Sequence, residues 1–209
     1  MDEEISEVPK DPVTQSAQQL HHQIGRNIRA LRKRQDLTLV VLAQRADLSH
    51  SFLSQLERGL ARPSMQSLHR IAQALGISQP ALMSMDAESI DAAEPSTSSG
   101  LSLVTAAEAA ALELPGGLAR SLVTGVRAMY PMLFEGAPSE FADAFTHPGE
   151  EFVHVIAGMI EVDVAGEDPV TLRPGDTLYY PGSRSHRWRQ LPGATSRVLM
   201  VQDARATTH

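Results

Sequence analysis

The sequence predicts two units of different class, an all-α unit of five helices followed by an all-β unit. Three observations predict it. From Leu20 to Leu82 apolar residues recur every three or four positions, between capping residues and glycines. From Leu101 onward the period changes to alternation, with Gly or Pro in most gaps. Residues 86–100 are acidic and then rich in Pro, Ser and Gly, the composition of a flexible linker. The units therefore span 16–85 and 101–209, and the acidic residues 1–15 read as a disordered tail.

Leu20, Ile24, Ile28 and Leu31 define the first helix. Thr38 caps a second and Ser49 a third, each offering a side-chain oxygen to free backbone N–H groups. Leu42, Ala43, Ala46, Leu48, Phe52, Leu53 and Leu56 supply their apolar face, and Gly59 ends the third helix. Two short helices joined by a tight turn over residues 37–59 form a helix-turn-helix, whose second helix fits the major groove of DNA. Ser64 caps a fourth helix carrying Leu68, Ile71, Ala72 and Leu75, closed by Gly76, and Ser78 with Pro80 starts a fifth.

This set resembles the lambda-repressor-like, or Xre-type, family through Ile24-Gly25-Arg26-Asn27-Ile28-Arg29, Leu42-Ala43, Leu53-Ser54-Gln55-Leu56-Glu57-Arg58-Gly59 and Pro63-Ser64. The resemblance implies base contacts from His50, Ser51 and Gln55, with Ser54 nearby, and phosphate contacts from Arg58 and Arg62. Gln55 suits adenine, which a carboxamide bonds through N6 and N7 together. The resemblance also implies a structural ion pair of Arg32 with Glu57. Asp47 stands at the turn position where relatives usually carry glycine, and Leu39 where many carry a phosphate-touching glutamine. Val40 and Val41 replace residues that are usually acidic and leave an apolar face suited to a protein contact.

The formal net charge is −7, which on its own argues against a nucleic-acid partner. Its distribution reverses the argument. Residues 20–82 hold nine basic and three acidic side chains, a net +6 that leaves −13 for the rest. One part suits phosphate and the other repels it. There is no cysteine, hence no disulfide framework or thiolate metal site. No signal peptide is visible, and no run approaches the roughly 18–20 apolar residues of a membrane span, so the expected setting is cytoplasmic with no membrane partner.

In the second unit the candidate strands are 119–124, 127–134, 141–146, 152–157, 159–164, 170–172, 177–180, 186–189 and 197–202, as in an all-β barrel or sandwich. Residues 106–112 read instead as a short helical turn. Two passages carry more. In His147-Pro-Gly-Glu-Glu151 the acid stands four after His147 and seven before Gly158, and Gly175, Pro181 and His186 share a second spaced set. Over about 115–203 these resemble the two boxes of the cupin family, a jelly-roll barrel, with Ser183 in place of one glycine.

In that family such side chains converge on one metal, and here Phe145 occupies the position of the first histidine. The resemblance leaves His147, Glu151 and His186, a set suited to Zn²⁺, Mn²⁺ or Fe²⁺. The same three equally suit an organic-ligand pocket without metal, or hydrogen bonding alone. Phe145, Tyr180 and Trp188 are candidates to line the pocket, and aromatic core packing explains them as well. His154 faces the other side of its strand from Glu151.

Together the resemblances imply a DNA-binding transcriptional regulator, repressor or dual, whose cupin domain senses a small-molecule effector. They imply a homodimer on a near-palindromic duplex operator, with no catalytic residues. The alternative is a metal-dependent cupin isomerase or oxygenase fused to an autoregulatory DNA-binding unit. A third class, an adaptor gripping protein through Val40 and Val41, is opposed by the basic excess. If phosphates are the partner, duplex affinity measured by fluorescence anisotropy falls steeply as salt is raised, because counterion release drives binding. A flat salt response is the contrary result.

Overall fold

The computed structural model describes residues 12–85, 101–106, 111–125 and 127–203, with side chains from Gln19 onward. The expected linker at 86–100 lies outside the described residues, as does 1–11 of the expected tail. The first helix, α1, covers Pro12–Arg34 and so takes in residues 12–15, which composition had assigned to the tail. Proline is at home in a first helical turn, where its missing N–H has no partner to lose.

Four short helices follow: α2 Leu39–Arg45, α3 His50–Glu57, α4 Met65–Ala74 and α5 Gln79–Ser84. Thr38, Ser49, Ser64 and Ser78 each accept a hydrogen bond from the N–H three residues on, at 3.1–3.2 Å. Between α2 and α3 the chain turns at Asp47, whose φ of 51° is a conformation an aspartate tolerates better than most residues. Gly59 follows α3 at φ 70°. The core is Ile24, Ile28, Leu42, Leu53, Leu56, Leu68, Ile71 and Leu82, all wholly buried.

Two polar interactions lock this packing. The Arg32 guanidinium donates from Nε to Glu57 Oε1 at 2.6 Å and from Nη2 to Oε2 at 2.8 Å, and from Nη1 to the Leu37 carbonyl at 2.9 Å. That fork ties α3 and the α1–α2 turn to α1. Buried Asn27 donates to the carbonyls of Leu82 and Met85 at 3.0 and 2.8 Å, closing the end of α5 onto α1.

Among the described residues nine strands follow: β1 Ala111–Leu114, β2 Gly117–Ser121, β3 Met129–Gly136, β4 Glu150–Ala157, β5 Ile160–Val164, β6 Val170–Leu172, β7 Thr177–Pro181, β8 His186–Gln190 and β9 Arg197–Asp203. They form two antiparallel sheets, ordered β1-β2-β3-β9-β4-β7 and β6-β5-β8. Phe134 of β3 meets Trp188 of β8 edge-on with ring centroids 5.4 Å apart, so the sheets face each other.

Two expectations need correction. Of the expected helical turn at 106–112, residues 107–110 lie outside the described residues, and 111 and 112 belong to β1, because Ala111 and Leu112 pair with Arg120 and Ala119. Residues 141–146 are not a strand: only Phe145 pairs, in a single bridge to His186. Alternation alone does not make a strand where no neighbour lies alongside for the rest of the ladder.

The helical unit is docked on the sheets. The Gly125 N–H donates to the Ser84 carbonyl at 2.7 Å, and the Ser84 and Ser121 hydroxyls lie 2.7 Å apart. From the α3–α4 loop and α4, Arg62 pairs with Glu113 at 3.0 Å, Gln66 Nε2 donates to Asp143 Oδ2 at 2.7 Å, and Gln73 Nε2 donates to the Thr146 carbonyl at 3.2 Å. Among the described residues no helix is long and apolar enough to cross a membrane.

The Arg32–Glu57 side chains are only 14% and 8% exposed, so truncating the arginine leaves a carboxylate enclosed without its partner. Arg32→Ala is expected to lower unfolding free energy by about 3 kcal/mol. Arg32→Met combined with Glu57→Leu should lose clearly less, because neither charge is then stranded. Urea unfolding followed by helical circular dichroism separates the two; equal losses would refute the assignment.

Candidate functional site

Helix α3 presents one face to the core through Leu53 and Leu56 and the other to solvent. On the outer face His50, Ser51 and Gln55 are exposed and Ser54 is half-buried. Ser51 and Gln55 are four residues apart, hence one above the other on the helix surface. Arg58 extends back along α3, with Nε donating to the Ser54 carbonyl at 3.2 Å. Arg62 is exposed but ion-paired across the docking surface to Glu113, and Arg70 reaches Asp47 at 3.2 Å. Val40 on α2 is 51% exposed, while Val41 is half-buried.

The second site is a cavity of about 280 Å³, partly open to solvent, between the sheets and α4. Glu151 lies at its floor with no exposed surface. Tyr180 of β7 and Gln202 of β9 are the cross-strand partners of Glu151 of β4, which places all three side chains on one rung of one face. The Tyr180 hydroxyl donates to Glu151 Oε1, and Gln202 Nε2 donates to Oε2 at 2.9 Å. His147 Nε2 is 2.9 Å and His186 Nε2 3.7 Å from the same Oε2.

Burial pushes the Glu151 carboxyl up, but the His147 hydrogen bond, the neighbouring imidazole charges and the Tyr180 hydroxyl more than offset it, and the net direction is down. For His147, burial lowers the value while the Glu151 hydrogen bond and charge, with the Pro148 carbonyl, raise it, and the net direction is up. Burial beside Glu151 holds the Tyr180 hydroxyl protonated well above the usual tyrosine range.

Local backbone makes this floor possible. The His147 N–H donates to the Gly182 carbonyl at 2.8 Å, and a Cβ on Gly182 would stand 2.2 Å from the His147 ring. Only glycine lets that ring lie against the chain. Each imidazole has its Nδ1 against a backbone carbonyl, Pro148 at 3.0 Å and Arg184 at 2.8 Å, which orients both Nε2 atoms toward Glu151.

Comparison with known proteins bears on both sites. A family model described as a helix-turn-helix domain matches residues 23–84, and a cupin domain model matches 132–202. The immunity repressor protein of Bacillus phage phi105 is 43% identical over 60 residues, 29% of this chain and 42% of the repressor. This chain thus spans less than half of that protein. The uncharacterized HTH-type transcriptional regulator y4dJ of Sinorhizobium fredii is 38% identical over 60 residues, which cover 78% of its length.

The chain belongs to the helix-turn-helix transcriptional regulators.

A solved HTH_3 family transcriptional regulator from Vibrio cholerae shares the fold of this regulator, with a TM-score of 0.63 at 19% identity over 90% of this chain and 99% of that one.

The regulator brings His147, Glu151 and His186 together, with one donor atom from each within 4.8 Å of the others. The donor set fits a divalent cation: two imidazoles and a carboxylate, with each ring oriented by a backbone carbonyl. Of the three expected lining residues, Phe145 and Trp188 line the cavity and Tyr180 does not, its hydroxyl being turned to Glu151 instead. Phe145 and Trp188 form its apolar walls, and Tyr180 bonds the floor. His154 points away, on the opposite face of β4.

Sequence reasoning missed Gln202 and His69. Gln202 sits in the last strand, and only its register against Glu151 marks it. His69 of α4 meets Phe145 edge-on at 5.3 Å, and burial with His147 and His186 nearby lowers its pKa. The sole sequence signal was its place on the helix face away from Leu68 and Ile71.

Replacing Tyr180 with Phe strips one acceptor bond from an enclosed carboxylate. The loss is expected to be about 2 kcal/mol of unfolding free energy. Trp188, the only tryptophan, makes the transition visible by fluorescence. An unchanged urea midpoint would mean that the hydroxyl does not hold Glu151.

Proposed function

We propose that this chain is a sequence-specific DNA-binding transcriptional regulator whose cupin cavity takes a small effector that modulates operator binding. One observation supports it above the others: α3 turns a continuous polar face of His50, Ser51 and Gln55 outward while the buried Arg32–Glu57 fork fixes its inner face. In this reading Gln55 bonds a base edge, Ser51 and His50 add single bonds, and Arg58 and Arg62 meet phosphates. A helix of this length reaches few base pairs, so two copies on a near-palindromic operator are required for selectivity.

A second reading, a metal-dependent cupin enzyme regulating its own gene, is favoured by the His147, Glu151 and His186 cluster. A divalent cation held there would supply a Lewis-acidic centre. The residues themselves would orient it: His147 and His186 through their carbonyl-anchored rings, Glu151 through Tyr180 and Gln202. Metal analysis of protein purified without nickel resin, together with turnover assays, separates the two readings.

Selection of bound fragments from random duplexes supplies the operator. On it, Gln55→Ala should lose roughly 1–3 kcal/mol of discrimination at one base pair, whereas Arg58→Ala should weaken matched and scrambled duplexes alike. Failure of the intact chain to retard any duplex in dilute buffer overturns the proposal.

A further inference from the structure

The cavity is not lined by the sheets alone. Met65 and His69 of α4, in the DNA-reading unit, line it together with Phe134, Phe145, Trp188 and Met200. A molecule in the cavity therefore touches both units at once. Its size and polarity are also constrained. An apolar cavity of about 150 Å³ holds a benzene ring, so about 280 Å³ has room for one ring with a substituent, with one side left open to solvent.

The charged groups on its walls already have partners. Glu151 is bonded to His147 and Tyr180, Asp143 to Gln66, and Arg187 to Asp163 at 2.8 Å. Asp143 meets only a neutral amide but is exposed to solvent, so an ionic head in the buried part of the cavity would give up its hydration with no free countercharge to meet. A neutral head can instead bond at the floor, beside His186 Nε2 and Gln202.

We propose that a compact, largely apolar molecule with one neutral hydrogen-bonding group bridges α4 and the sheets, and that its occupancy holds the DNA-reading unit in the docked arrangement. The proposal rests on the regulator reading above and supplies its coupling. The contacts that dock α4 are mostly exposed: the Arg62 and Glu113 side chains are 61% and 47% accessible, and such pairs are weak. Filling the apolar cavity adds burial across the same surface. In the docked arrangement Arg62 is committed to Glu113 and withdrawn from phosphate, so the occupant lowers duplex affinity. By linkage, duplex lowers affinity for the occupant by the same factor.

The test uses the full chain treated with EDTA and three probes of one shape: cyclohexanol, cyclohexanecarboxylate and cyclohexylamine. All are transparent where Trp188 is excited, and Trp188 lines the cavity. Cyclohexanol should change the fluorescence saturably and bind at least tenfold tighter than either charged probe. His69→Ala and Met65→Ala, each checked for helical circular dichroism, should weaken it at least threefold, although both lie outside the sheets. Selected duplex should weaken it, and saturating cyclohexanol should weaken duplex equally.

Tightest binding by a charged probe overturns the neutral head, and no saturable response to any probe overturns the occupant. Cyclohexanol binding that neither α4 variant nor duplex alters overturns the bridge while leaving the regulator reading intact. Loss of all duplex binding with cyclohexanol still bound sinks the regulator reading instead.

Discussion

The enclosed carboxylate of Glu151 is the constraint on which the second unit depends. A charge removed from water survives only among groups that replace its hydration. Tyr180, Gln202 and His147 do so from β7, β9 and the segment before β4, with His186 at the start of β8 close behind. A slip of one residue in either pairing of β4 would turn Tyr180 or Gln202 to the opposite face and strand the charge. Strand register and site chemistry are therefore one requirement. The bare backbone at Gly182 belongs to it as well, since the His147 ring occupies the space a side chain would need.

The helical unit uses a buried ion pair to a different end. Arg32 and Glu57 lie on the inner side of the α1–α3 contact, and their fork orients α3 without using its outer face. Rigidity comes from the inside, which leaves the outer face free for the proposed recognition. Asn27 plays the matching part five residues earlier on α1, where it satisfies two carbonyls at the close of α5.

The two units meet along α4, a helix that serves both. Its apolar face, Leu68, Ile71 and Ala72, is buried in the helical core, and its other face supplies Met65, Gln66 and His69 to the cavity. Arg62, just before it, stands between two anionic partners, Glu113 in this arrangement and phosphate in the proposed complex. A cationic unit resting on a chain that is otherwise net negative has a reason to dock and a reason to leave when duplex competes.

How much of this was legible follows from how far each interaction reaches along the chain. Helix caps, the positive-φ turn at Asp47 and the stop at Gly59 are decided within four residues, and those positions could be read directly. The spacing that singled out His147, Glu151 and His186 is also short-range, since β4 and its preceding turn carry two of the three. Residues 12–15, 111–112 and 141–146 were assigned differently because composition and alternation do not reveal whether a neighbour lies alongside. Gln202, His69, Asn27 and the Arg62–Glu113 pair are joined to their partners across 51–76 residues. By itself the sequence determined the two fold classes, the helix ends and the residues able to do chemistry. Only the tertiary structure decided which of them share a rung and that α4 walls the cavity, because register and docking are set by surfaces that meet only after the chain has folded.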